Sequence, residues 1–158
     1  MAKVYDRPEV EEMLRALEQN AEEIRLYANS AASAVRKDQY NAYLEFRQKC
    51  EDFDTLSILV EYRLKNMRGG RQADLSDRFD TLTVSTLSAT LTASLHFLRI
   101  LSEREMLPLG SRDVFTRELR NLHHAKERMS RPDLAGKLDE RTRADLKVAE
   151  DILAIIVE

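Results

Sequence analysis

The side chains that most often carry catalysis or bind metal ions are sparse in this sequence. Its 158 residues include three histidines, His96, His123 and His124, and a single cysteine, Cys50. Helical bundles that bind metal ions use a Glu-x-x-His pattern on two helices, and no histidine here stands three residues after Asp or Glu. A glycine-rich phosphate loop and a serine in a nucleophile elbow are missing as well. We therefore expect no metal site, no cofactor and no enzymatic activity.

Two adjacent histidines, His123 and His124, lie close to a lysine in the sequence. Within Asn121–Lys126, His123 is followed three residues later by Lys126, one helical turn away. This spacing resembles the His-x-x-Lys of bacterial histidine-phosphotransfer bundles, in which the imidazole accepts a phosphoryl group and the lysine helps to neutralise it. The resemblance implies His123 or His124 as the acceptor, although Glu127 stands where that family usually has glycine. Phosphotransfer is our alternative hypothesis, and a solvated surface pair is the simpler interpretation.

The segment 112–131 carries a small excess of positive charge. Its six basic side chains stand against three acidic ones, while the whole chain has a formal charge of -3 with both signs interspersed. Such a balance creates no global field for nucleic acid or an anionic membrane. Weak nucleic-acid binding through this face is our third hypothesis, behind a solvated face. The basic residues are Arg112, Arg117, Arg120, Lys126, Arg128 and Arg131.

The overall composition is typical of long amphipathic helices. Hydrophobic residues make up 43% of the chain and charged residues 34%, with no Trp and only four Gly. A single cysteine cannot form an internal disulfide, and the first residues lack the apolar stretch of a signal peptide, so we expect a cytoplasmic protein. Cys50 lies on an apolar stripe, which favours a small buried side chain over a reactive thiol.

The spacing of the apolar residues predicts the fold. Apolar residues alternate at three and four positions over 10–35 and again over 43–67, with a shift in phase between the two stripes. The shift favours a helical hairpin over one continuous helix through 8–67. Together with three further helical segments, this predicts an all-α, four- to five-helix up-down bundle with long amphipathic helices, forming a single domain over 1–158.

Polar and turn residues indicate where these helices begin and end. Asp6 is predicted to cap the first helix with its side chain. Gly69 and Gly70 end the second helix, because paired glycines destabilise a helix and permit a left-handed backbone. Pro132 interrupts the chain after the fourth helix, and the last helix is expected to begin near Asp139.

The segment 81–98 breaks the general pattern. None of its 18 residues is charged, and eight are Ser or Thr. Part of it alternates like a strand, but it also carries a helical stripe, and no other segment offers a matching strand to pair with. We therefore predict a helix. Only nine of the 18 residues are apolar and no stop-transfer pattern flanks them, so we expect no membrane span.

This Ser/Thr-rich helix allows two interpretations. It is either the most surrounded helix of a monomeric bundle, or its hydroxyl face is an interaction surface shared with a second copy or with a partner helix. The residues of that face are Thr83, Thr86, Thr90 and Ser94. The function we favour is a non-enzymatic protein–protein interaction module, such as an adaptor, chaperone or regulatory scaffold, whose partner is another protein or its own copy, as a homodimer.

Overall fold

Five long helices and one short helix make up the described chain. The structure is a computed structural model that describes residues 4–37, 39–104 and 111–157, with the backbone alone for Ala32, Ser111, Ile156 and Val157. The helices are α1 (Arg7–Arg36), α2 (Tyr40–Lys65), α3 (Ala73–Ser102), α4 (Ser111–Met129), α5 (Pro132–Ala135) and α6 (Glu140–Val157). The predicted all-α bundle is thereby confirmed.

α1 and α2 form the predicted antiparallel hairpin. α1 ends at Arg36 and α2 begins at Tyr40, which confirms the hairpin and excludes one continuous helix. At the far end of the pair, the backbone N–H of Tyr5 donates to the carbonyl of Asn66 at 3.0 Å, and the N–H of Arg68 donates to the carbonyl of Tyr5 at 2.9 Å. The chain before α1 is therefore held against the end of α2.

The remaining long helices are arranged around α3. α3 contacts α1, α2, α4 and α6. It runs parallel to α1, since Arg78 near its start pairs with Glu18 at 2.5 Å and Arg104 after its end donates to the carbonyl of Arg36 at 3.0 Å. Further contacts join α1 to α2, α2 to α4 and α4 to α6. α3 is accordingly the most surrounded helix of the bundle, which was one of the two interpretations of the segment 81–98.

The first and last helices begin where the sequence predicts, directly after Asp6 and Asp139, but only Asp139 caps its helix with its side chain. The backbone N–H of Thr142 donates to Asp139 Oδ1 at 2.7 Å, and hydrogen bonding from Thr142 lowers the pKa of this carboxyl. Asp6 makes no capping hydrogen bond, because its carboxylate lies 3.0 Å from Arg68 Nε instead. Between α2 and α3, Gly69 and Gly70 adopt φ values of 83° and 91°, the left-handed region in which glycine is favoured.

The segment 81–98 is helical, as predicted, and lies inside α3. An 18-residue stretch of α3 reaches a mean hydropathy of 1.2, and by length and composition alone it is long and apolar enough to cross a membrane. Of that stretch, 56% is buried within the bundle. Core helices of globular proteins have the same character, so hydropathy does not separate the two situations.

The central position of α3 leads to a first prediction. Leu91 of α3 is 1% exposed, whereas Leu26 of α1 is 67% exposed. Truncation of a buried leucine removes apolar contacts and leaves a cavity, so Leu91→Ala should lower the free energy of unfolding by about 2–5 kcal/mol. The matched control Leu26→Ala should change it by less than about 0.5 kcal/mol. Urea denaturation measures both, and equal effects would contradict the packing described here.

Candidate interaction surface

The hydroxyl face proposed from the sequence lies inside the monomer. Thr83, Thr86, Thr90 and Ser94 are between 1% and 9% exposed. Thr90 Oγ1 donates to the carbonyl of Leu87 at 2.9 Å, and Ser94 Oγ accepts a hydrogen bond from Arg47 of α2. These side chains are therefore covered by the protein's own helices, and a partner could contact them only if the bundle opened.

A buried ion pair fills the space beside this face. Arg47 of α2 and Glu118 of α4 are 3% and 0% exposed, and they form two parallel hydrogen bonds, Nε to Oε1 and Nη2 to Oε2, both 2.6 Å long. Arg47 Nη2 also lies 3.3 Å from the carbonyl oxygen of Thr90. A guanidinium and a carboxylate this deeply buried are tolerated only when both are paired and hydrogen-bonded. This pair therefore links α2, α3 and α4 at one point.

Further ion pairs continue along the contact between α2 and α4. Arg117 donates to Glu51 at 2.7 Å, Arg128 to Asp54 at 3.0 Å and Arg131 to Glu61 at 2.7 Å. Arg128 also donates to Ser57 Oγ at 3.1 Å. Hydrogen bonds from Arg131 and Lys65 lower the pKa of Glu61 in spite of its partial burial. The contact between these two parallel helices is thus made largely by long charged side chains.

The helices around α3 leave one side of it open. α1 contacts α2, α2 contacts α4 and α4 contacts α6, whereas α6 and α1 make no extended contact in the part of the chain that the structure describes. The gap between α1 and α6 lies opposite the buried hydroxyl face, because Thr81, Ser85, Ser88 and Thr92 point away from Thr83 on the helical wheel. We call this region the α1–α6 gap.

Three shallow depressions follow one another along the floor of the α1–α6 gap. Their volumes are about 430, 340 and 410 Å³. The first two share Thr81 and Ser85, and the third includes Ala89, Thr92 and His96. These five α3 residues form the floor; they are mostly small, and none is an acid, a lysine or an arginine, whereas the first depression is also lined by Glu18, Asp77 and Arg78. Small side chains allow another helix to approach closely.

The two ends of the gap differ in chemistry. At the end near Thr81, here called the lower end, ion pairs join Glu18 to Arg78 and Lys137 to Asp80, at 2.5 and 2.7 Å. Charges there are already compensated. At the upper end, near His96, no ion pair among the described contacts lies on the floor, which is formed there by Ala89 and Ala93.

Apolar side chains of α6 border the upper part of the gap. Asp145 of α6 faces α3, since its Oδ2 accepts a hydrogen bond from Thr92 Oγ1 at 3.1 Å. On one flank of Asp145 lie Leu146 and Leu153, which are half-buried against the core. On the opposite flank Val148 and Ile155 remain 47% and 73% exposed. α6 also contacts α4, and we infer that the half-buried flank faces α4 and the exposed flank faces the gap.

The histidine pair is exposed, as a phosphoryl acceptor would need to be, but each imidazole faces a carboxylate. His123 Nε2 lies 3.1 Å from Glu127, and His124 Nε2 lies 3.7 Å from Asp54. A phosphoryl group on either nitrogen would meet this negative charge. Lys126 is half-buried on the same helix, and no hydrogen bond or ion pair joins its ammonium to either imidazole among the described contacts.

Half of the basic side chains of the segment 112–131 are neutralised by α2. Arg117, Arg128 and Arg131 each pair with a carboxylate of that helix. Arg112 and Arg120 remain exposed. With the half-buried Lys126, three of the six basic residues have no α2 carboxylate partner among the described contacts, and three give a weaker attraction for a phosphate backbone than six.

Cys50 is buried, as expected from its place on the apolar stripe. It is 6% exposed, and burial raises the pKa of its thiol to about 12. The thiolate, which is the nucleophilic form, is therefore scarce at neutral pH. Within the described residues, no group of three His, Cys, Asp or Glu side chains is placed to hold a metal ion.

Sequence reasoning missed the Arg47–Glu118 pair, although one signal was present. Glu118 lies four residues before Leu122 and seven before Ala125, on the same stripe as the buried apolar residues of α4. An acid on such a stripe requires a buried partner. The sequence did not identify Arg47 as this partner in the same way, because Arg47 stands beside the α2 stripe and the chain contains many arginines.

Comparisons with known proteins add no family to this description. No protein-family model matches the chain, and no curated protein or solved structure matches it either.

The buried ion pair leads to a second prediction. Glu118→Ala removes the only carboxylate that contacts the Arg47 guanidinium in the described structure, and an uncompensated buried charge should lower the free energy of unfolding by about 3–5 kcal/mol. The double variant Arg47→Met with Glu118→Leu replaces both charges by apolar groups and should regain most of this loss. Chemical denaturation measures both. A mild effect of Glu118→Ala, below about 1 kcal/mol, would show that the pair is not buried in solution.

Proposed function

We propose that the protein is a non-enzymatic, cytoplasmic protein–protein interaction module, and that it docks a helix of a partner protein in the α1–α6 gap. The observation that carries this proposal is the incomplete ring of helices around α3. Every other side of α3 is covered by a helix of the chain itself, and the open side carries three consecutive depressions. Adaptors, chaperones and scaffolds commonly bind a helix in a groove of this kind.

The dimensions of the gap support a helical occupant. Its floor extends from Thr81 to His96, which corresponds to about 22 Å along a helix axis. A partner helix of about four turns would fill this length. Inserted between α1 and α6, it would contact three helices at once, as each half of a helical bundle does.

The side chains around the gap also limit the chemistry of the partner. The small floor residues Ser85, Ala89 and Ala93 favour a partner helix with small residues on its docking face. The exposed Val148 and Ile155 at the upper end favour apolar side chains at that end. The paired charges at the lower end offer hydrogen bonds but little net charge. The proposed partner is therefore an amphipathic helix with a narrow, uncharged docking face.

A site-specific cross-linking experiment tests this proposal. A photoreactive amino acid placed at Ser85 or Ala89, within the gap, should cross-link in living cells to one protein segment with apolar residues at helical spacing. The same amino acid at Ala16, which is exposed on α1 outside the gap, is the control. Mass spectrometry identifies the attached peptide. The cross-link should disappear when Ala93→Arg is added, because the long cation fills the floor of the gap.

The proposal would be contradicted by adducts that are equally frequent from all three positions. Adducts with RNA or lipid, or with segments that lack helical periodicity, would also contradict it. The unfolding midpoint of each variant shows whether the bundle remains intact.

Histidine phosphotransfer receives less support from the same structure, because Glu127 and Asp54 lie beside the two imidazoles. When the protein is incubated with a histidine kinase and radiolabelled ATP, we expect no acid-labile label on it. Label that is present on the wild type and absent from His123→Gln or His124→Gln would support phosphotransfer instead of the interaction module.

A further inference from the structure

A second surface of the protein lies on α2, away from the α1–α6 gap. Ile58, Leu59 and Tyr62 are 61%, 48% and 51% exposed. They lie within two helical turns, and the exposed Thr55 extends the same uncharged face by one more turn. Scattered exposed apolar residues are ordinary, but three large ones on adjacent turns of one helix indicate an interaction site. We call Thr55, Ile58, Leu59 and Tyr62 the α2 patch.

The charges at the two ends of the α2 patch have opposite signs and are placed symmetrically. Glu51 lies seven residues before Ile58, and Lys65 lies seven residues after it. Seven residues are close to two helical turns, so all three side chains lie along one stripe of α2. The side chains of Glu51 and Lys65 are 43% and 60% exposed, although each also contacts a charge of its own chain, Arg117 and Glu61.

This symmetry suits a second copy of the same chain. If two α2 helices pack antiparallel about a two-fold axis at Ile58, Glu51 of each copy faces Lys65 of the other. Ile58 then packs against its own equivalent, and Tyr62 lies at the level of Asp54 of the other copy, one residue along the helix from its Thr55. A parallel arrangement would instead place Glu51 against Glu51 and Lys65 against Lys65, which is unfavourable.

We propose that two copies of this chain associate through the α2 patch, antiparallel, with the two-fold axis at Ile58. The interface is isologous, so the same patch serves both copies. This interface is separate from the docking site of the proposed function, because α2 does not border the α1–α6 gap. The dimer therefore leaves both gaps open, and one assembly presents two docking sites.

Analytical ultracentrifugation of the full chain tests the dimer first. The wild type should sediment at twice the monomer mass of 18.3 kDa at high concentration and dissociate on dilution. Ile58→Glu places a charge at the centre of the patch and should raise the dissociation constant about tenfold or more. The matched control is Ile155→Glu, which changes another exposed isoleucine on α6 and should leave the dissociation constant unchanged.

A charge exchange then tests the orientation of the two copies. Glu51→Lys and Lys65→Glu should each weaken the dimer, because each places like charges opposite one another. The double variant restores two opposite-charge pairs and should return the dissociation constant towards that of the wild type. Within one chain the two positions lie about 21 Å apart along the helix, so this recovery requires a second copy.

Three results would overturn the proposal. The first is a wild-type protein that remains at 18.3 kDa at every concentration. The second is an equal effect of Ile58→Glu and Ile155→Glu on association. The third is a double charge variant that associates no better than the single variants. Circular dichroism and the unfolding midpoint confirm that each variant is folded, so a loss of association is attributed to the interface.

Discussion

The bundle depends on one helix, α3, whose central segment carries no charge and is surrounded by other helices. The segment 81–98 has no charged side chain to keep it in water, and it also has too many hydroxyl groups to pack as a simple apolar core. The structure meets both demands by placing α3 against four other helices. On the covered side, the hydroxyl of Thr90 bonds within the helix and that of Ser94 bonds to Arg47. Those on the opposite side line the α1–α6 gap.

Ionic contacts have a large part in positioning α4. Apolar residues of α4 pack into the core, but its contact with α2 is a row of ion pairs with Arg47–Glu118 at its most buried point. Buried ion pairs add little net stability compared with apolar packing, because desolvation offsets most of the attraction. A shift of α4 by one turn would, however, leave buried charges unpaired. We infer that this row fixes the register of α4 on α2, and with α4 the position of α6 at the edge of the gap.

Sequence patterns predicted where the helices lie along the chain better than they predicted which helices pack against one another. The stripes over 10–35 and 43–67 and the Gly69-Gly70 break gave the first two helices and the turn after them, because these features are local. The helical wheel of α3 did not reveal which of its two hydroxyl sides would be covered. Thr83 and Thr90, which one of the two interpretations placed on an interaction surface, are buried, whereas Ser85 and Thr92 lie in the gap. That choice depends on where α4 and α6 dock, which is a property of tertiary packing.

All the other long helices pack on α3, and native-state hydrogen exchange tests this central position of α3 most directly. Amides of α3 between Leu82 and Leu98 should exchange only through global unfolding, since exposing them requires the surrounding helices to separate. Amides of α6, whose extended contacts within the described chain are with α3 and α4, should exchange through a smaller opening of lower free energy. Exchange of the α3 amides at a lower free energy than those of α6 would contradict this account of the fold.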